Sequence, residues 1–185
     1  MTHEALGVSS IQAQYPRILL SAEQVRSRVQ EMARQITHDF RGKTIHVVGV
    51  MENSFIFMAD LVRELEVPVV CQFVRAEFKD ANPDTTEIFF SPELDVKGQH
   101  VLLVEALVQS GVTSEFLMRN LAGRGAASVK LAVLLDKQAG RRVSLQPDYF
   151  GFLMNESFVV GYGLGEPHFG RNLPYIAGPA EKAGF

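Results

Sequence analysis

Residues 100–113 run His-Val-Leu-Leu-Val-Glu-Ala-Leu-Val-Gln-Ser-Gly-Val-Thr. A short apolar run that leads into a glycine turn and then into a helix is the pattern of a strand buried within a sheet. Such strands belong to parallel sheets covered by helices. The turn has chemistry of its own. Ser110 and Thr113 supply hydroxyls, Gly111 lets the backbone approach closely, and the start of the following helix presents backbone N–H groups to an anion. A phosphate cradle and a plain strand–turn–helix connection share this pattern, so the local sequence leaves both open.

The rest of the chain repeats the alternation of strand and helix. Ser21-Ala-Glu-Gln24 has the form of a capping box, and Val25, Val29, Met32, Ile36 and Phe40 follow at spacings of four, three, four and four. That spacing predicts an amphipathic helix ending near Arg41-Gly42. Thr44–Val50 is a core strand, Ser54 caps a helix reaching about Glu66, and Pro68 opens a second strand to about Val74. Residues 75–86 are polar and contain Pro83, which predicts a loop, with Glu87–Phe90 as a short edge strand. A helix from Thr113 to about Arg124, a strand over Ser128–Asp136, and short strands at Tyr149–Phe152 and Phe158–Tyr162 complete the order.

These elements predict an α/β fold with a parallel sheet of about five strands flanked by helices. A small cap is built from the N-terminal arm and the C-terminal segments. Residues 1–17 are expected to be a loose arm, 18–176 a single domain, and 177–185 a tail in a Gly- and Pro-rich, mostly irregular end. Ligands of such sheets lie beyond the carboxyl ends of the strands, where the strand order reverses. Four stretches fall at those ends: Met51–Ser54, Arg75–Lys79, Glu105–Thr113 and Asp136–Lys137.

Composition narrows the partners. With 185 residues, a net charge of −3 and no dense run of Lys and Arg, the chain has no footprint of a nucleic-acid binder, though a few local cations could hold a small anion. Cys71 is the only cysteine, and its neighbours Val69, Val70 and Phe73 predict an inert buried side chain with no disulfide or multi-cysteine metal site. Neither a signal-like start nor an apolar stretch of membrane-spanning length is present. A cytoplasmic protein with no membrane partner is therefore expected.

The stretch Val101–Thr113 resembles the phosphoribosyl-diphosphate-binding motif of the type I phosphoribosyltransferases: two acidic residues, two apolar ones, then Asp-Thr/Ser-Gly-x-Thr. Ser54–Leu61, Leu134–Lys137, Pro147–Phe152, Phe158–Gly163 and Arg171–Ile176 narrow the likeness to the hypoxanthine-guanine phosphoribosyltransferases, over about Ile18 to Ile176. The resemblance implies transfer of ribose 5-phosphate from phosphoribosyl diphosphate to a purine base, with Mg2+ as cofactor if the chain is active. It also implies a homodimer or homotetramer. Ser110, Gly111, Val112 and Thr113 correspond to the 5′-phosphate loop. Lys137, Phe158 and Val159 correspond to the residues that contact, stack on and border the purine. Arg171 matches the arginine that reaches pyrophosphate.

Several positions depart from the family pattern. Glu105 is followed by Ala106 where a second acid is expected, and Gln109 stands where the family keeps the Asp that faces the base. An amide forms hydrogen bonds but is no general base at neutral pH. The pyrophosphate loop reads Met51-Glu52-Asn53, which brings a negative charge to an anion site and replaces a glycine. The cover loop is shortened around Glu77-Phe78-Lys79 and lacks its Ser-Tyr pair. Gly165 stands in place of the metal-contacting Asp, leaving Glu105 and the adjacent Glu166 as candidate metal ligands. The expectation is a homologue that binds a purine nucleoside monophosphate such as IMP or GMP, with weak or lost transferase activity. An active transferase with an atypical site and a non-catalytic regulatory or interaction subunit are the alternatives.

Overall fold

A computed structural model describes residues 8–78, 86–90, 94–165 and 169–180. In chain order the elements are α1 (Val8–Gln14), β1 (Arg17–Leu20), α2 (Ala22–Asp39), β2 (Ile45–Met51), α3 (Phe55–Glu64), β3 (Val69–Phe78) and β4 (Thr86–Phe90). They continue with β5 (His100–Val108), α4 (Val112–Gly123), β6 (Ser128–Asp136), a 3-10 turn (Gln138–Gly140), β7 (Tyr149–Leu153) and β8 (Ile176–Gly178). The main sheet has six strands in the order β4-β3-β2-β5-β6-β7. Five of them are mutually parallel, and β4 closes one edge antiparallel to β3.

The helices form where the sequence supplies caps and an apolar stripe. At the start of α2, the Gln24 amide donates to Ser21 Oγ at 3.2 Å while Ser21 N–H donates to Gln24 Oε1 at 2.8 Å, so two terminal donors are satisfied reciprocally. Val25, Val29, Met32, Ala33 and Ile36 then face the core. Successive strand residues point to opposite faces of the sheet. Val47, Leu102, Val104 and Leu134 accordingly pack with α2 and α3, whereas Val48, Leu103, Leu131 and Val133 pack with Leu117 and Leu121 of α4. Burying each such side chain contributes about 1.5–3 kcal/mol, and the two layers together fix the sheet.

The small cap rests on antiparallel pairing of β1 with β8, in the register Arg17↔Gly178 and Ile18↔Ala177. α1 closes over it through Ile11 and Tyr15, which pack with Val160, Leu173 and Ala177. Among the described residues, no helix is long and apolar enough to cross a membrane.

Several local expectations are corrected. Residues 8–14 are helical rather than a loose arm, because Ile11 and Tyr15 have an apolar cluster to bury against. The polar stretch after Val74 begins as strand, with β3 running to Phe78 and pairing with β4 from Phe78↔Thr86 to Val74↔Phe90. Residues 79–85, Lys79 among them, lie outside the described residues. Phe158–Tyr162 is not a strand: only the bridges Val160↔Ala177 and Gly161↔Leu164 form, since the strand beside it is three residues long. Cys71 is exposed, not buried, because α3 lies over β2 and β5 rather than over β3.

Candidate functional site

The chain crosses from β2 through α3 to β3 on one side, while β5 lies on the other side of β2. Strand order thus reverses between β2 and β5, and a crevice opens beyond their carboxyl ends. A cavity of about 240 Å³ occupies that place, lined by Met51, Asn53, Glu105, Gln109, Ser110 and Thr113 among others. The other two strand ends adjoin it. Arg75, within β3, lies 3.6 Å from Glu52, and Lys137 after β6 donates its backbone N–H to Val108 O at 2.9 Å. Of the four stretches singled out in the sequence, residues of Met51–Ser54 and Glu105–Thr113 line this cavity, while Arg75 and Lys137 are tied to its edge through Glu52 and Val108.

The phosphate-type loop is built as its residue types suggest. Gly111 sits at the N-cap of α4 with φ +77°, a left-handed conformation that glycine adopts without strain. Ser110 Oγ accepts from Val112 N–H at 3.4 Å, and Gly111 O starts the helix by accepting from Glu115 N–H at 2.9 Å. A Cβ on Gly111 would meet Arg141 Cδ and Val143 Cγ2, both at 3.0 Å, so the loop is packed from behind.

Arg141 is the residue that the sequence motifs did not reveal. Its Nε donates to Gln109 O at 3.1 Å, its Nη1 donates to Leu145 O at 2.5 Å, and its Nη2 is paired with buried Asp136. Arg142 N–H donates to Ser110 O at 2.9 Å. The loop after β6 thereby clamps the loop after β5. The only sequence signal was a pair of arginines in a polar loop, which ordinarily marks a solvated surface.

Glu105 and Gln109 occupy different environments. Glu105 is 8% exposed, and burial pushes its carboxyl up to about 7, against the opposing pull of the Ser114 hydroxyl and the Arg141 charge. Its Oε1 is buried without a hydrogen-bond partner among the described residues. Gln109 is exposed and lies against the 3-10 turn, where a Cβ at Gly140 would come within 2.6 Å of its Cγ. Ser54 does not cap α3; its Oγ accepts from Ala106 N–H at 3.0 Å and so ties the start of α3 to β5.

On the opposite side of the crevice, Arg171 donates through Nη1 to Asn53 Oδ1 at 2.5 Å and to Gly163 O at 2.9 Å. Glu52 stands between two guanidiniums, with Oε1 3.6 Å from Arg75 and Oε2 3.8 Å from Arg171. Each of these arginines thus has an anion of the chain itself as a neighbour. Lys137 is 8% exposed and donates through Nζ to Ser157 O at 3.1 Å. Phe158 follows directly and keeps 38% of its surface open, while Val159 is buried next to the Val160↔Ala177 bridge.

Residues 18–167 match the family model for the phosphoribosyl transferase domain. The hypoxanthine-guanine phosphoribosyltransferase of Streptococcus pneumoniae is 36% identical over 86% of this chain and 91% of its own length. The crystal structure of a hypoxanthine-guanine phosphoribosyltransferase from Bacillus anthracis superposes with a TM-score of 0.83 at 34% identity, covering 89% of this chain and 98% of the other. The chain belongs to the hypoxanthine-guanine phosphoribosyltransferase family. A bifunctional protein TilS/HprT of Listeria innocua is 34% identical over 92% of this chain, and there the match spans only 27% of the relative's length.

Within that family, Mg2+ is the implied cofactor. A Mg2+ site takes one or two ionised carboxylates together with substrate oxygens and water. Here Glu105 is desolvated into holding its proton near neutrality, and its neighbour Ala106 offers no oxygen ligand in its side chain. Among the described residues, no three His, Cys, Asp or Glu side chains are grouped to hold a metal ion. Gly165 has φ +143°, and a Cβ there would lie 2.6 Å from Phe169 O, so the backbone itself is shaped against a carboxylate side chain. Glu166 lies outside the described residues. The described residues do not fit the ion.

Proposed function

We propose that the protein binds a purine nucleoside monophosphate of the IMP or GMP type and has weak or absent phosphoribosyl transfer. The observation that carries this reading is Glu52, whose carboxylate lies between Arg75 and Arg171 on the side where pyrophosphate would have to be held. A carboxylate of the chain competes there with any incoming anion. The 5′-phosphate loop, Ser110 to Thr113, opens on the cavity with the helix N-cap at Gly111, and the carboxyl that shares the cavity, Glu105, is pushed toward its neutral form by burial.

The base side supports the same conclusion. Lys137 has three N–H donors, one of which goes to Ser157 O. Beside it, Phe158 offers a ring for stacking, in the manner expected of a site for a planar base with an exocyclic oxygen. Gln109 donates or accepts a hydrogen bond at the ring edge without exchanging a proton. Calorimetric titration with IMP, GMP and phosphoribosyl diphosphate tests the reading. Binding of the monophosphates in preference to the diphosphate is the expected result, and tight binding of the diphosphate alone overturns it.

A second reading, an active transferase with an atypical site, is favoured by one observation. Glu105 titrates near neutrality inside the crevice, which is where a group able to take and return a proton is useful. Steady-state turnover of hypoxanthine or guanine with phosphoribosyl diphosphate and Mg2+ separates the two. A cytoplasmic location and a homodimer or homotetramer, as the family resemblance implies, complete the proposal.

A further inference from the structure

Phe158 lies in a stretch between β7 and β8 that has no strand ladder to hold it, since residues 154–159 are irregular. Between the backbone bonds at Met154 and Val160, side-chain contacts hold it. One is the Lys137 bond to the preceding Ser157 carbonyl. The other two come from Tyr15, after α1, and Arg17, the first residue of β1, both far away in sequence. The Tyr15 ring sits 5.7 Å from the Phe158 ring, centroid to centroid, with the planes tilted by 38°. Two residues later in one segment and two earlier in the other, Arg17 Nη2 donates to Glu156 Oε1 at 3.1 Å. The two contacts form parallel tethers, 15 to 158 and 17 to 156.

Tyr15 is itself firmly seated. It is 7% exposed, belongs to the cluster of Ile11, Val160, Leu173 and Ala177, and has the Phe169 ring 6.4 Å away. A buried ring cannot yield, whereas the ring it touches keeps more than a third of its surface open. The pair therefore reads as a brace and a platform. Offset or tilted aromatic pairs add about 0.5–1.5 kcal/mol beyond burial, and a platform already held in place avoids the ordering cost that a loose ring incurs when it stacks on a ligand.

We propose that Tyr15 is a positioning residue for base recognition, holding Phe158 so that its free surface is presented to a planar heteroaromatic ring. The inference rests on the reading of the crevice as a nucleotide site. Tyr15 touches the platform and not the ligand, so it should govern affinity for the base half of a nucleotide and leave the phosphate half alone. Ribose 5-phosphate, which lacks the base, is the internal control.

The test is calorimetric titration of the full chain, wild type and variants, with IMP and with ribose 5-phosphate. Tyr15→Leu keeps an apolar side chain in the cluster and removes the ring; it should weaken IMP about three- to tenfold and leave ribose 5-phosphate unchanged. Tyr15→Phe should bind IMP as the wild type does. Equal weakening of both ligands, or undiminished IMP binding by Tyr15→Leu, overturns the inference while leaving the nucleotide reading standing. Failure of the wild type to bind IMP removes both. Should Tyr15→Leu not fold, Arg17→Met cuts the second, more exposed tether, and the same selective loss for IMP is required of it.

Discussion

Glu52 and Arg171 form an ion pair across the crevice, with 3.8 Å between Glu52 Oε2 and Arg171 Nη2. Half of the Glu52 side chain is open to solvent, so the pair itself adds little stability. Its weight is electrostatic: at such distances a unit charge changes the local energy of an incoming anion by about 1 kcal/mol even in water. Glu52→Gln should therefore raise affinity for inorganic pyrophosphate about three- to tenfold, with the gain shrinking as KCl is added. Calorimetry at two salt concentrations checks this. An unchanged affinity means that Arg171 does not receive the anion.

Glu105 makes stability depend on pH. Its folded carboxyl is raised to about 7 from an ordinary value of 4.5, so between those values the folded state holds more protons than the unfolded one. Stability from this group is then fully present below about pH 4.5 and falls as pH rises to about 7. Glu105→Gln removes the titration and should gain on the wild type by up to about 3 kcal/mol at pH 8 relative to pH 4. Urea unfolding at the two pH values measures the difference. A gap that stays constant with pH contradicts the burial effect.

Ser54→Ala should destabilise the fold by about 1–3 kcal/mol, because it leaves the buried Ala106 N–H without its 3.0 Å acceptor. The cost should appear in thermal or chemical unfolding and should be insensitive to salt. A Ser54→Thr variant that keeps the hydroxyl should recover much of it.

Restoring carboxylates tests what the transferase site lacks. A positioned general base contributes about 10²–10⁴-fold to rate, so Gln109→Asp, alone or with Ala106→Asp, should raise transfer from phosphoribosyl diphosphate by at least about 10². Ala106 is 1% exposed, so an Asp there also carries a burial cost, and the melting temperature should be followed beside the activity. If turnover stays at the wild-type level in both, Glu52 becomes the group to remove next.

The parts of the fold that announce themselves locally were legible. The Ser21–Gln24 box and the apolar stripe after it specify α2 almost to its ends, and Ser128–Asp136 is a strand over that full span. The crevice also follows from sequence order, because strand–helix–strand units place their loops on one side of the sheet. Pairings between distant segments were not legible. β1 and β8 have four and three residues and no pattern of their own, so each becomes a strand only because the other is present. Cys71 and Phe73 sit among β-branched neighbours that suggest a core, yet both are exposed on β3, while α3 packs chiefly on β2 and β5.

Within the crevice, the residues that the sequence singled out sit in a local motif, and the residues it passed over are tied to them only across the fold. Ser110, Gly111 and Thr113 could be named from spacing, and they line the cavity. Arg141 bonds to Gln109 O and the Tyr15 ring lies beside the Phe158 ring, contacts that arise only when separate segments meet. A charged residue in a loop and an aromatic near a proline carry no local mark of such contacts.

The pairing of β1 with β8 gives the two halves of the crevice different origins in folding. The loop that carries Ser110 is assembled from residues 109–112 and 141–145, which follow the adjacent strands β5 and β6. The base platform depends on segments brought together from opposite ends of the domain, as in the hydrogen bond from Gln12 to Tyr175 across 163 residues. Contacts of such span carry a larger loop-closure cost. As the temperature rises, the cap should loosen before the central strands part, so that the contacts around Phe158 are lost while the loop after β5 still stands.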